Sequence, residues 1–223
     1  MSIWPRPAPP EPRRTPWQPD PEPPTRPPIT PSQWHVVDIG HDDWLAQRLL
    51  DRRMVALAGR LDSAAANRSV AALALLDASG DDPVELRLCD VDADLDIALT
   101  LLDALDLMSV PVHATCLGEL TGTAIAILAV ADHRTAGPHA TLHLREPRTQ
   151  LGGHSPDVTA HAEDHQRRLR LLQERIAQAC HRPVDALAAD MRRGRILTAQ
   201  EARGYGLVDT IATDTPTKVH KQP

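Results

Sequence analysis

The sequence predicts an α/β fold in which helices connect and cover the strands of a largely parallel sheet. Short apolar runs typical of strands recur between residues 54 and 145, and segments with helical spacing of Leu, Ile and Val separate them. The resulting order is β-α-β-α-β-α-β, which is typical of crossover connections. Strands joined by a crossover helix pair in parallel, and parallel sheets are usually buried on both faces.

Four segments are predicted to be strands. Met54–Gly59 is a short apolar run, Val84–Cys89 alternates between apolar and polar residues, and Val112–Leu117 is again largely apolar. Leu142–Arg145 is the shortest of the four.

Helices are predicted before, between and after these strands. Trp44, Leu45 and Leu49 have helical spacing in the first helix, and Ser63 is a candidate N-cap of the second. The predicted helices are Asp42–Asp51, Ser63–Ala78, Leu95–Met108, a small-residue helix at Leu120–Ala131, a long amphipathic helix at Val158–Cys180, and Val184–Met191. A capping box at Thr198–Glu201 predicts one last helical turn.

The two ends of the chain differ in composition from its centre. Of the 21 prolines, 13 lie at or before Pro31, and all four tryptophans lie in the first 44 residues. Proline fixes φ and removes a backbone donor, so residues 1–33 are predicted to be a Pro-rich disordered arm, either a solvated tail or a docking arm anchored by tryptophans. The polar segment 213–223 is predicted to be a disordered tail, which leaves 34–212 as the folded domain.

Composition also narrows the classes of function and partner that we expect for this protein. The net charge of -6 argues against general nucleic-acid binding. Three cysteines without a C-x-x-C pair favour free thiols in a reducing cytoplasm, and the longest apolar run is less than half of the roughly 20 residues that a membrane span needs. His161 and His165 lie one helical turn apart but lack a third ligand for zinc. We therefore expect a cytoplasmic protein without a signal peptide, cofactor, metal, membrane contact or nucleic-acid partner.

Two motifs identify a family resemblance. Leu197–Asp209 (LTAQEARGYGLVD) is similar to the pattern MSAEEAKEYGLID, and Leu49–Asp62 (LLDRRMVALAGRLD) is similar to LLKERIIFLGSPID. Both patterns belong to the proteolytic subunit of the Clp protease (ClpP), a serine peptidase. Residues of about 42–211, roughly three-quarters of the chain, resemble this family. The resemblance implies a crotonase-like fold of superhelical β-α-β units with a long handle helix.

The resemblance also implies where the catalytic groups of such a peptidase belong. The family's nucleophile motif Gly-x-Ala-Ala-Ser-x-Gly falls on residues 118–124, which puts Gly122 at the serine position. The family's His-Gln-Pro falls on residues 145–147, which puts Arg145 at the histidine position. Glycine has no nucleophile, and arginine stays protonated at neutral pH and cannot act as a general base.

The other two parts of the site are a carboxylate and an oxyanion segment. Asp157 falls on the retained carboxylate position, where it also suits a helix N-terminus, and an Arg145–Asp157 ion pair is a hypothesis that follows. The family's Ser-Pro-Gly-Gly-Ser segment reads Asp90–Asp94 here, with Asp92 and Ala93 in place of the two glycines. Aspartates there add negative charge where the reaction must develop it.

We therefore predict a ClpP-like, ring-forming subunit that is a pseudo-peptidase with a structural or regulatory role. The resemblance implies a seven-membered ring or double ring, built from copies of this chain or with a ClpP-like paralogue. ATPase docking in aromatic-rich pockets is doubtful, because Tyr205 is the sole aromatic residue after Trp44. One alternative is an active peptidase with displaced residues, Thr121 or Thr123 with His143, although both threonines are interpreted as a helix cap or a solvated hydroxyl. A second alternative is a crotonase-like acyl-CoA enzyme.

Overall fold

The computed structural model describes residues 43–147 and 155–212. The predictions for the Pro-rich arm, residues 1–33, and for the tail, residues 213–223, lie outside these ranges. The described residues form seven helices and seven strands. The helices are α1 Asp43–Leu50, α2 Ser63–Ala78, α3 Leu95–Asp106, α4 Ile125–Ala129, α5 Ser155–Ala179, α6 Val184–Arg193 and α7 Ala199–Tyr205. The strands are β1 Met54–Leu61, β2 Val84–Ala93, β3 Val112–Gly122, β4 His133–Ala136, β5 Thr141–Leu144, β6 Arg195–Thr198 and β7 Thr210–Ile211.

The strands form one mixed sheet that divides at β3. The order β1-β2-β3-β4-β7 is parallel throughout. The first half of β3 pairs with β4, whereas Glu119–Thr121 in its second half pair with β5, which in turn pairs antiparallel with β6. The last residues of β1, β2, β3 and β5 therefore end close to one another, at the carboxyl edge of the parallel strands.

The sheet buries one face of its central strands and exposes the other. Along β2 and β3 the buried positions alternate with exposed or half-exposed ones, and the buried set packs with the helices into one core. The prediction of a sheet covered on both faces is therefore wrong for these strands among the described residues. The alternation already present in Val84–Cys89 is the pattern of a strand with one solvated face.

A row of left-handed residues bends the three central strands at the same level. Gly59 in β1, Asp90 in β2 and Gly118 in β3 have φ of 66°, 52° and 69°. The pairing register shifts next to each of them. Asp90 Oδ1 accepts a hydrogen bond from the backbone N–H of Glu119 at 2.8 Å, and a Cβ built on Gly118 would lie 2.1 Å from that oxygen. Glycine is thus required at position 118, and the bend redirects the strand ends.

Most predicted elements are present, and the differences have local causes. The N-cap of α2 is Asp62 rather than Ser63, because its carboxylate accepts the Ala65 N–H at 2.7 Å. The helix predicted over Leu120–Ala131 shortens to α4, since β3 continues to Gly122 to pair with β2 and β5. The capping box at Thr198–Glu201 is confirmed.

Candidate functional site

The converging strand ends border an open surface cavity of about 150 Å³. Open α/β sheets commonly bind ligands outside the carboxyl ends of their strands. Every residue that the sequence places at the nucleophile, base or oxyanion position lines this cavity. The lining residues are Arg60, Asp92, Ala93, Asp94, Gly122, Thr123, Arg145 and Pro147.

Gly122 is the last residue of β3, directly before the turn into α4. Its φ is +60°, and a strained turn between a strand and a helix is where serine hydrolases of another fold present their nucleophile. A Cβ built here would lie 3.5 Å from Cγ and 3.9 Å from Nε of Arg145. The structure therefore brings positions 122 and 145 into contact, with an arginine stem against a residue that has no side chain.

The guanidinium of Arg145 is held by Asp92. Its Nη2 donates to both carboxylate oxygens of Asp92 at 3.1 Å, and the two side chains are 29% and 35% exposed. A paired arginine keeps its proton, so this group has the opposite character to a general base. Asp92 thus neutralises the positive charge of Arg145, the residue at the predicted histidine position.

Asp92 and Ala93, the residues at the predicted oxyanion position, lie in a strand. Asp92 and Ala93 end β2, where they pair with Arg60 and Leu61 on one side and with Thr121 and Gly122 on the other. An oxyanion hole needs backbone donors that point toward a developing negative charge. Here the backbone is engaged in the sheet on both sides, and the Asp92 carboxylate faces the cavity.

The threonines beside Gly122 have different roles. Thr123 is buried, and its hydroxyl donates to the carbonyl of Ala93, so its interpretation as a cap or a solvated hydroxyl is wrong. Thr121 lies opposite His143 in the register of β3 and β5. Its hydroxyl donates to Glu119 Oε1 at 3.1 Å, and the same oxygen lies 3.5 Å from His143 Nδ1. The structure brings Thr121 and His143 near each other through a shared carboxylate.

Asp157 lies in the first turn of α5. Its side chain falls outside the described residues, so the Arg145–Asp157 ion pair stays a prediction. His161 is exposed on the same helix, and the described part of the chain contains no group of three or more metal-ligating side chains. Within the described residues, no helix is long and apolar enough to span a membrane.

Two residues of the site were missed by sequence reasoning. Arg60 pairs with Asp94 at 3.0 Å across the rim of the cavity, and Glu119 links Thr121 to His143. The predicted strand ended at Gly59, one residue short of Arg60. A signal for Arg60 was present: a cation near the end of one strand faces the aspartates that follow the next strand in a parallel pair.

Comparison with known proteins gives one family. The family model "Clp protease" matches residues 40–215. The chain is 30% identical over 181 residues to the "ATP-dependent Clp protease proteolytic subunit 3" of Rhodococcus jostii, covering 79% of this chain and 89% of that protein. It is 30% identical over 175 residues to the subunit of the same name from Streptomyces coelicolor, covering 76% of this chain and 80% of that protein.

A match over this much of the chain agrees with the α/β sheet and with the two motifs in the sequence. The chain belongs to the Clp protease family.

Proposed function

We propose that this protein is a non-catalytic, ring-forming subunit of the Clp protease family with a structural or regulatory role. The observation that carries the proposal is the juxtaposition of Gly122 and Arg145 in the lining of the cavity. The position expected to supply a nucleophile has no side chain, and the position expected to supply a base holds a cation paired with Asp92. Proton abstraction and acyl transfer have no reacting group at these positions.

The proposed assembly is a seven-membered ring or double ring of this chain, alone or with a ClpP-like paralogue. Handle helix α5 supports it, because Leu171 is 52% exposed there while Leu172 and Ile176 belong to the core. The exposed leucine offers apolar surface to a partner chain. The three cysteines are unpaired, which supports the proposed cytoplasmic location.

Peptidase assays test the proposal directly. The purified full chain incubated with short fluorogenic peptides is expected to give no turnover. Gly122→Ser alone is expected to give none either, because Arg145 remains paired with Asp92 and no base takes the serine proton. A related active Clp proteolytic subunit, assayed in parallel, is the positive control. Peptide cleavage by the unaltered chain contradicts the proposal.

The alternative of an active peptidase with displaced residues has one supporting contact, the network that joins Thr121, Glu119 and His143. In a catalytic triad the histidine lies between hydroxyl and carboxylate, whereas here the carboxylate lies between hydroxyl and histidine. Reaction of the chain with a fluorophosphonate probe at Thr121, lost in Thr121→Val, supports this alternative. The crotonase-like alternative needs backbone donors in a loop, and β2 is paired through Ala93.

A further inference from the structure

We propose that the Arg145–Asp92 ion pair is a latch that closes the cavity to peptides. The inference rests on the proposed function, in which the chain does not cleave peptides. It adds that the cavity does not bind them either. A chain with an inert but open cavity still binds peptides, and a latched one does not.

The stem of Arg145 lies beside position 122. Its Cγ lies 3.5 Å from the place of a Cβ at position 122, and its Nε lies 3.9 Å away. These are ordinary van der Waals distances for a side chain at position 122, so the arginine stem borders the space that such a side chain would occupy. A peptide carbonyl that approaches position 122 from this side meets the arginine stem.

Asp92 holds the guanidinium of Arg145 in this place. Arginine side chains have many rotamers, and an unpaired one moves aside at little cost. Arg145 is tied by two hydrogen bonds of 3.1 Å to Asp92, which is itself fixed in a strand with neighbours on both sides. The pair therefore joins the residue after β5 to the end of β2 in the lining of the cavity.

The chain offers a matched pair for comparison. Arg60 and Asp94 line the same cavity and pair at 3.0 Å, but their side chains are 70% and 63% exposed. The three atoms nearest to a Cβ built on Gly122 all belong to Arg145, and none belongs to Arg60. Arg60→Ala removes one positive charge from the cavity rim, as Arg145→Ala does. It leaves the Arg145 stem beside Gly122 in place.

Peptide binding by the full chain is the test. A short, uncharged, fluorescein-labelled peptide is titrated with the wild type, Arg145→Ala, Asp92→Asn and Arg60→Ala, and binding is followed by fluorescence anisotropy. We expect no saturable binding by the wild type or by Arg60→Ala. Arg145→Ala and Asp92→Asn are expected to bind at least about tenfold more tightly than the wild type, the factor that corresponds to roughly 1.4 kcal/mol.

Three outcomes overturn the latch: equal peptide binding by the wild type and the variants, no gain in either latch variant when circular dichroism shows both folded, or the same gain in Arg60→Ala. Two latch variants are used because Asp92→Asn keeps the size of the side chain if Arg145→Ala lowers stability. Cleavage of a fluorogenic version of the peptide by the wild type defeats the proposed function. Tight binding by the wild type without cleavage defeats the latch alone.

Discussion

At the scale of single residues, Gly122 is a position where glycine avoids backbone strain. An L-residue in the left-handed region costs about 1–2 kcal/mol, and the φ of position 122 is +60°. A serine in the same backbone conformation would carry that strain. Glycine removes it together with the hydroxyl.

Gly122→Ala is therefore expected to lower the free energy of unfolding by about 1–2 kcal/mol. The cause is the backbone conformation, because the built Cβ makes no contact shorter than 3.5 Å. The measurement is the shift of the urea midpoint at unchanged m-value.

Gly204→Ala is the control for that substitution. Gly204 lies inside α7, has no positive φ, and has open space where a Cβ would be. Alanine there is expected to stabilise the protein by about 0.5–1 kcal/mol, the opposite sign. Stabilisation by both substitutions contradicts a strained backbone at position 122.

At the scale of elements, the motif Leu197–Asp209 holds β4, β7 and α7 together. The clasp is the set of contacts that Arg134 makes with Asp209 and Gly206. Asp209 accepts hydrogen bonds from the backbone N–H of Arg134 at 2.8 Å and from its guanidinium at 2.6 Å and 3.1 Å. The same guanidinium donates to the carbonyl of Gly206, the C-cap of α7. A Cβ on Gly206 would lie 2.9 Å from the carbonyl oxygen of Cys180, so the motif requires glycine there.

The clasp has an expected pH dependence. Burial alone would raise the pKa of Asp209, but the hydrogen bonds from Arg134 outweigh it and hold the pKa below its usual 3.8. A carboxyl with a lowered pKa in the folded state stabilises above its unfolded pKa, and this contribution is lost as the pH falls through the folded pKa. Asp209→Asn is expected to cost about 1 kcal/mol at pH 7, a value reduced by the partial exposure of the group.

Urea midpoints of the wild type and Asp209→Asn, measured from pH 7 down through the acid range, check this expectation. The difference between them should shrink once the pH falls below 3.8. Asp51→Asn, which removes an exposed ion pair of 3.9 Å with Arg48, is the control and should change little at any pH. A difference that stays constant with pH would rule out a contribution from the charge.

Sequence reasoning predicted residues that line one cavity, but it did not predict their interactions. Gly122 and Arg145 follow from the spacing of motifs along the chain, whereas the pairing of Arg145 with Asp92 depends on the register of β2, β3 and β5. The strands β4, β6 and β7 have two to four residues and exist because a neighbour pairs with them. Such strands have no periodicity of their own to detect.

At the scale of the whole molecule, the exposed face of the sheet is polar and largely self-paired. His113 Nδ1 lies 3.5 Å from Glu85 Oε1, and the rings of His113 and His133 meet edge to face at 5.7 Å. The hydroxyls of Thr135 and Thr210 lie 3.1 Å apart in the next row. Cross-strand pairs of this kind stabilise a sheet face without a second layer of helices.

Leu171 on α5 gives the proposed assembly a direct test. Leu171→Glu is expected to convert a double ring into single rings, because the variant places a charge on the apolar surface where two handle helices are proposed to meet. Native mass spectrometry of the full chain, alone and with a co-expressed active paralogue, measures ring size and composition.

Leu107→Glu is the control for assembly, since Leu107 is 82% exposed at the end of α3. It should leave the ring size unchanged. A monomeric wild type, in both the presence and the absence of the paralogue, contradicts the proposed ring.

The charge pair in the lining of the cavity also has an evolutionary consequence. A substitution that restores histidine at position 145 leaves Asp92 without its cation, and one that restores glycine at position 92 leaves Arg145 without its anion. On the proposed function, each such single step strands a half-buried charge and gains no activity, since position 122 still lacks a hydroxyl. The proposed function then implies that a return to catalysis needs coordinated substitutions at positions 92, 93, 122 and 145, so that the loss would behave as a ratchet.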